Sequence, residues 1–436
     1  MKSHTTALIV VAALAFGCRP GERLGAPAPA APAAPPPAPA AAPSGGLPRT
    51  EPSVRIGITV DSTSTTVGAP VEFEVRALNG RALARGGVGE AWTFTTTADG
   101  RITARSASGV ELEPAAAPVR IVPRDLSHVT IDGRRYRGDV LLLAPRAGRI
   151  TAVNVVDLEA YLLGVVPREM GKRPATEIEA LKAQAVAART YAVGNLGGRS
   201  TAGFDFYATV MDQVYGGTAD EDSIVSRAVK ETRGTILTYA GAPILAYYSS
   251  TCGGSTAAIE ESWPTREPLP YLRSVSDRIP GTDESYCQTS SRFRWTTAWT
   301  RRQLLDVLST TLRAHTKNRT ASVRAVQDVR ITDRGPSGRA TVELTADGTT
   351  YTLRADSLRW VLRPTPAGGI LNSARLYDVR VARDGDEVDH LEIDGGGWGH
   401  AIGMCQVGAM GRARAGQSFS EILKSYYTGV AVEQLY

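Results

Sequence analysis

Val165-Val-Pro-Arg-Glu169-Met-Gly171, followed by Glu177-Ile-Glu-Ala-Leu-Lys-Ala-Gln-Ala-Val-Ala-Ala-Arg-Thr-Tyr191, decides how this chain is read. The first run is apolar and strand-like and ends on a single carboxylate, Glu169. The second is a helix, because Ile178, Leu181, Ala185, Ala188 and Ala192 recur at helical spacing. Thr176 and Glu179 match a capping box, Pro174 lies just upstream, and Gly197-Gly198 closes the helix. Its alanines predict close packing against another backbone. A carboxylate beside apolar surface holds its proton to higher pH, since burial penalises the charged form. Glu169 is therefore the candidate general acid/base.

Outward from this centre the pattern turns to strands. Residues 54–60, 71–75, 129–131 and 149–156 alternate or cluster β-formers between Gly, Asp and Asn turns. Residues 51 to roughly 150 read as mostly β. After the centre, a second helix near residues 223–232 ends at Gly234 and leads into a strand at 235–239. Residues 323–326, 329–332, 340–345, 351–353 and 379–381 form a second β region. A terminal helix starts at Ser418, with Glu421 completing another capping box. The expectation is an α+β protein whose helical centre holds the active-site cleft between β-rich flanks, with no internal repeat.

The N-terminus reads as an export signal. Lys2 is followed by the apolar run 7–16, too short for a bilayer span of roughly 20 residues. Leu14-Ala-Phe-Gly-Cys18 resembles a bacterial lipoprotein signal, although Ala15 stands where Leu is usual. Lipidation at Cys18 is the expectation, with residues 1–18 as signal peptide. Residues 19–50 are a Pro/Ala-rich linker. The 21 residues 26–46, if extended as polyproline II, reach roughly 65 Å. Nothing else is apolar for long enough to cross a membrane. The chain has 436 residues, 42% hydrophobic, with net charge +5. That length calls for more than one structural unit. Its basic residues are interspersed with acids, which argues against nucleic-acid binding. The expected location is the cell envelope, facing the periplasm or wall.

Three further segments carry polar, Gly-rich and aromatic residues that a core does not need: 211–217, 247–256 and 394–409. Glycines admit a ligand close to the backbone. Tyr, Trp, Ser, Thr and Gln offer stacking faces and neutral hydrogen bonds, which suit a sugar. Each segment alone is a tight turn; together with Glu169 they point to a cleft.

These motifs, Val-Val-Pro-Arg-Glu169-Met, the 180–191 helix, Asp212-Gln-Val-Tyr-Gly216, Ser250-Thr-Cys-Gly-Gly254 and Gly399-His-Ala-Ile-Gly-Met-Cys-Gln-Val-Gly-Ala409, resemble the SpoIID/LytB family, in family order. The resemblance runs from about residue 120 to the C-terminus. It implies a catalytic domain over 121–436, with residues 51–120 as a separate β-rich region. It also implies peptidoglycan lytic transglycosylase activity on peptide-stripped glycan, with the catalytic Glu at Glu169. Most glycosidases need two carboxylates. A lytic transglycosylase needs one, because the C6 hydroxyl of the sugar is the nucleophile.

On this reading Arg189, Asp212, Gln213, Tyr215, Ser249, Ser250, Thr251, Trp398, His400 and Gln406 line the cleft. Tyr215 and Trp398 either stack on sugar rings or pack as buried aromatics. Arg189 or another cation would meet the lactyl carboxylates of stripped glycan. Glycan strands are the expected partner, with a wall amidase as a second. For the cysteines, a Cys252–Cys287 disulfide is the first expectation, stabilising by about 3–4 kcal/mol on a loop-entropy account. The family's zinc pattern, a His with two Cys around the Ser-Thr-Cys segment, is broken by Tyr248. The expectation is thus no cofactor, with zinc through Cys252, Cys287, Cys405 and His400 ranked lower. Cys405 also reads as a small buried hydrophobe. Two other functions are weighed. One is a cysteine hydrolase of wall peptides pairing Cys252 or Cys405 with His400. The other is a non-catalytic glycan-binding amidase enhancer. No Gly-x-Ser-x-Gly elbow is present, and 397–403 fails the dinucleotide spacing.

Overall fold

The computed structural model describes residues 48–126, 128–315 and 322–436. The signal-like segment, Cys18 and nearly all of the Pro/Ala linker lie outside the described residues. The protein is mixed α/β and mostly β, with eight helices among the described residues. No helix among them is long and apolar enough to cross a membrane.

Two sheets form the N-terminal part. Ser53–Ser62 pairs antiparallel with Arg149–Asp157, which pairs with Asp139–Arg146. Val119–Pro123, Phe73–Ala77 and Ala82–Gly86 extend this sheet on one side, and Phe206–Tyr207 closes the other in parallel. A six-stranded sheet is built around Thr65–Gly68 and Ala91–Thr96. Their inward side chains, among them Ile56, Phe73, Trp92, Phe94, Ile121 and Val140, join one core with the helices that follow. Val119–Pro123 lies inside the seven-stranded sheet, so residues on either side of position 120 share one sheet and one core.

Arg149–Asp157 runs straight into helix α1 (Leu158–Met170). The run ending at Glu169, read from sequence as a strand, is instead the last turns of this helix. Leu158, Tyr161, Leu162, Val165 and Val166 recur every three or four residues and are buried. Pro167 falls near the end, and Gly171 stops the helix at φ +68° while its N–H returns to the Pro167 carbonyl at 2.9 Å.

A 3₁₀ turn (Ala175–Glu177) precedes α2 (Ile178–Asn195). The expected capping box does not form, because Glu179 is used elsewhere. It holds Lys182 Nζ at 2.7 Å and the Phe419 N–H at 2.8 Å. From Ala180 to Val193 all but Lys182 of α2 is buried. Its small side chains let α1, α3 (Ser223–Glu231) and the two C-terminal helices pack against it. Asp222 caps α3 by accepting from the N–H groups of Ile224 and Val225.

Tyr248–Ser249 pairs in parallel with Met404–Cys405 across more than 150 positions. Between them lie α4 (Ile259–Ser262) and a second core. That core collects Trp299, Leu308, Val342, Leu344, Leu358, Leu391 and Ile393 from two three-stranded sheets, α5 (Arg301–His315) and α6 (Ala355–Val361). The chain ends with α7 (Gln406–Arg414), α8 (Phe419–Tyr426) and Ala431–Gln434, which pairs with Thr235–Tyr239. The capping box read at Ser418 and Glu421 is present.

Candidate active site

Glu169 occupies the last turn of α1, and two distant segments reach it. Residues 212–217 lie along α1, where the Gly216 N–H donates to the Gly164 carbonyl at 3.2 Å. Gly164 permits this approach: a Cβ there would stand 2.6 Å from the Tyr215 ring and 2.7 Å from the Gly217 carbonyl oxygen. The approach delivers the Val214 N–H to Glu169 Oε1 at 3.1 Å. From the far end of the chain Gln406, the first residue of α7, donates Nε2 to Glu169 Oε2 at 3.4 Å. The same nitrogen donates to Gln184 Oε1 at 3.3 Å.

Burial pushes the Glu169 carboxyl above the usual carboxylate range, and the Val214 and Gln406 donors oppose that rise without cancelling it. No ion pair reaches Glu169 among the described residues. Arg168 pairs with Asp220, and Arg189 with Glu159. Glu177 and Asp212 are held by Arg414 and Arg199. Glu169 is thus a half-buried carboxyl held by neutral donors.

The 247–256 and 394–409 segments are joined by their backbones. Beside the Tyr248–Ser249 bridge, Thr251 and Trp398 exchange N–H···O bonds of 3.1 and 2.7 Å. Gly253 and Gly397 stand where the strands nearly touch. A Cβ on Gly253 would lie 2.7 Å from the Gly396 carbonyl carbon, and one on Gly397 2.6 Å from the Thr251 oxygen. The Ser250 carbonyl accepts the Val407 N–H at 3.0 Å, fixing the start of α7 and with it Gln406.

The other expected residues fall into different places. Gln213 is buried beneath Glu169's partner Val214. It accepts from Tyr161 Oη at 3.2 Å and donates to Tyr248 Oη at 2.9 Å. Asp212 accepts from Tyr191 Oη and the Tyr207 N–H and pairs with Arg199 at 2.9 Å, a scaffold for its loop. Thr251 bonds Ser290 Oγ at 2.9 Å, and Ser249 Oγ is buried without a partner. Trp398 is 48% exposed, with the Arg292 guanidinium 5.3 Å from its ring centre.

Four expectations are corrected. Arg189 is not available to a ligand, because α2 buries it completely against Glu159, with Nε and Nη2 at 2.8 and 2.7 Å from the carboxylate. Tyr215 is not a stacking platform. It is 3% exposed, packs on Tyr136 and Tyr161, and donates its hydroxyl to Asn154. The Cys252–Cys287 disulfide is not formed, the sulfurs standing 3.6 Å apart. Lastly, His400 does not join the cysteines as a ligand or as a base. Its Nδ1 accepts the Ile402 N–H at 3.0 Å, its ring packs on Trp263, and burial lowers its pKa to about 4. The fourth group beside the three sulfurs is Asp277.

Four participants are not among the cleft residues expected from the sequence: the Val214 N–H, Gln184, Tyr248 and Asp277. A lone glutamine among the alanines of α2 was the available signal for Gln184. Tyr248 is close enough that the Glu169 charge, after burial, helps hold its phenol protonated.

This combination of a helix-borne Glu, an alanine-rich support and a Gly-rich return segment defines a class. The chain belongs to the SpoIID/LytB family. The family profile described as stage II sporulation protein (SpoIID) matches residues 146–239, and a domain of unknown function (DUF8618) matches 274–403. Stage II sporulation protein D of Bacillus subtilis is 32% identical over 299 residues, covering 65% of this chain and 76% of that protein. An uncharacterised protein of Brachyspira hyodysenteriae is 33% identical, covering 70% of this chain and 73% of its own length. The amidase enhancer of Bacillus subtilis is 31% identical over 354 residues, which is 72% of this chain and 46% of that protein.

Proposed function

We propose that this protein is a peptidoglycan lytic transglycosylase that cuts MurNAc–GlcNAc bonds of peptide-stripped glycan, with Glu169 as its only acid/base. The observation that carries this reading is a half-buried carboxyl with a raised pKa, held by an amide N–H and a glutamine rather than by a cation. Such a group is protonated where an ion-paired carboxylate is not. Oε2, the more loosely held oxygen, delivers its proton to the glycosidic oxygen as that bond breaks. The C6 hydroxyl of the same muramic residue then attacks the anomeric carbon. Glu169 takes the hydroxyl proton, which restores the acid and leaves a 1,6-anhydro end. Atoms balance without water, so no second carboxylate is called for. Exposed Trp398 offers a face for a sugar ring. With Arg189 buried, Arg292 beside that indole is the cation placed to meet lactyl carboxylates. Export and a lipid anchor at Cys18 would bring the domain to the wall.

Mass spectrometry of peptide-stripped glycan treated with the protein tests this. Anhydro-ended fragments are expected from the natural protein, and a loss of about 10²–10⁴-fold in rate from Glu169→Gln. Reducing ends would refute the transglycosylase chemistry. The likeness to an amidase enhancer supports a second reading, in which the domain only holds glycan and stimulates an amidase. Intact strands with both proteins, and amidase stimulation that survives Glu169→Gln, would establish it.

A further inference from the structure

We propose that Cys252, Asp277, Cys287 and Cys405 form a mononuclear, tetrahedral zinc site that fixes the start of α7. The three sulfurs and one carboxylate oxygen all lie within 4.8 Å of one another. Cys252 Sγ is 3.6 Å from Cys287 Sγ and 3.6 Å from Asp277 Oδ2. Ligands bound to zinc at about 2.0–2.3 Å along tetrahedral directions stand about 3.5–3.8 Å apart, the spacing of these two pairs. Two thiols drawn together for a disulfide would leave the third beside them without a purpose.

The surroundings of the four side chains are those of ligands. All four are buried, none more than 1% exposed. The two oxygens of Asp277 are divided in their roles. Oδ1 accepts from Tyr426 Oη at 2.7 Å and has Arg412 Nη2 at 3.4 Å, while Oδ2 faces the sulfurs. Such an outer hydrogen bond orients a ligating carboxylate. Gly408 makes room for it: a Cβ there would lie 2.5 Å from Oδ2. Cys405 Sγ accepts the N–H groups of Cys252 at 3.2 Å and Gly408 at 3.4 Å, which fix the sulfur at the head of α7. Three sulfurs select a soft ion and exclude magnesium and calcium. Binding replaces three thiol protons with one Zn²⁺, and Arg412 offsets part of the remaining negative charge.

The ligands come from three stretches distant in sequence: the 250–256 turn, the 277–287 loop and the entry to α7. Cys405 immediately precedes Gln406, so the ion would hold in place the donor that reaches Glu169. This inference does not depend on what Glu169 catalyses, and its test does not measure catalysis. The full-length protein, produced in zinc-supplemented cells and purified without chelator, is analysed for metal by mass spectrometry. One zinc per chain is expected, unchanged in Glu169→Gln and falling below one tenth in Cys287→Ser. Should that variant fail to fold, cobalt exchanged into the natural protein gives a second reading: thiolate-to-cobalt charge transfer and the intense visible bands of a tetrahedral ion. A metal-free natural protein, an intact mass two daltons below that of the reduced chain, or octahedral cobalt bands would each overturn the proposal.

Discussion

Arg189→Leu separates a residue that supports the site from one that binds its ligand. In the folded protein Glu159 is buried, and its carboxylate collects four donors. Oε1 accepts from Arg189 Nε at 2.8 Å, the Gly234 N–H at 3.0 Å and Tyr436 Oη at 2.6 Å, while Oε2 accepts from Arg189 Nη2 at 2.7 Å. Burial alone would raise the Glu159 pKa. The bonds and charge of Arg189, with Tyr436 and Gly234, turn the net shift downward. Leucine removes the cation and leaves a buried carboxylate, a change that costs about 3–5 kcal/mol. The Thr235 carbonyl also loses its 3.0 Å partner, and so about 1 kcal/mol more. Urea unfolding followed by circular dichroism at pH 7 should therefore show a loss of about 4–6 kcal/mol. Adding Glu159→Gln removes the stranded charge yet keeps an oxygen for Gly234 and Tyr436, so about 2 kcal/mol should return. The sign with pH follows from the lowered pKa. The pair stabilises above the unfolded carboxylate value and loses that contribution as pH falls through the folded one, so the penalty of the single variant shrinks in acid. A single variant of unchanged stability whose glycan affinity falls tenfold would refute the scaffold reasoning and return Arg189 to the cleft.

Gln406→Leu removes a donor that lowers the Glu169 pKa. If the protonated acid is the active form, the high-pH limb of cleavage should move to higher pH; a move to lower pH would contradict the assignment. Gly164→Ala places a methyl against Tyr215, whose hydroxyl is anchored on Asn154, and should destabilise by about 2–3 kcal/mol in thermal or urea unfolding. An unperturbed Gly164→Ala would mean that the 212–217 segment does not need its close seat on α1. Trp398→Ala should weaken binding of soluble stripped glycan, measured by calorimetry, by about fivefold or more while changing stability by less than about 1 kcal/mol, because about half of the residue is exposed. Equal binding by that variant would remove Trp398 from the glycan surface.

Much of the fold was legible because its signals are local. The strands at 129–131 and 149–156, the start of α3 at Ser223 and the Ser418–Glu421 cap are fixed by neighbouring residues and appear as read, although α3 already stops at Glu231, before Gly234. The failures come where the deciding partner is distant. Val165-Val-Pro167 has strand composition, but the helical spacing that overrides it begins upstream at Leu158. Glu179 has the right offset from Thr176 for a cap, yet Lys182 and the N-terminus of α8 claim it. The core formed by 295–393 is hidden for the same reason. Its strands at 340–345, 351–353 and 379–381 are visible, those at Trp295–Thr300 and Glu387–Gly395 are not, and nothing local says that Tyr248–Ser249 and Met404–Cys405 pair across it.

The candidate site divides along the same line, and the division carries chemical meaning. Glu169 could be found from sequence because an isolated acid in an apolar run is itself the signal. What keeps it out of a salt bridge could not, since that depends on where the nearby arginines go. Arg168 lies next to Glu169 in sequence and Arg189 is on the adjoining helix, so either would have supplied a counter-charge. The fold instead assigns Arg168 to Asp220 and Arg189 to Glu159, and brings a peptide N–H and a glutamine amide to Glu169. Neutral donors orient a carboxyl while opposing burial only partly, whereas a guanidinium at the same distance would hold it ionised. If Glu169 is the acid of the proposed reaction, the ion pairs around α1 and α2 serve it by diverting both cations from its carboxyl.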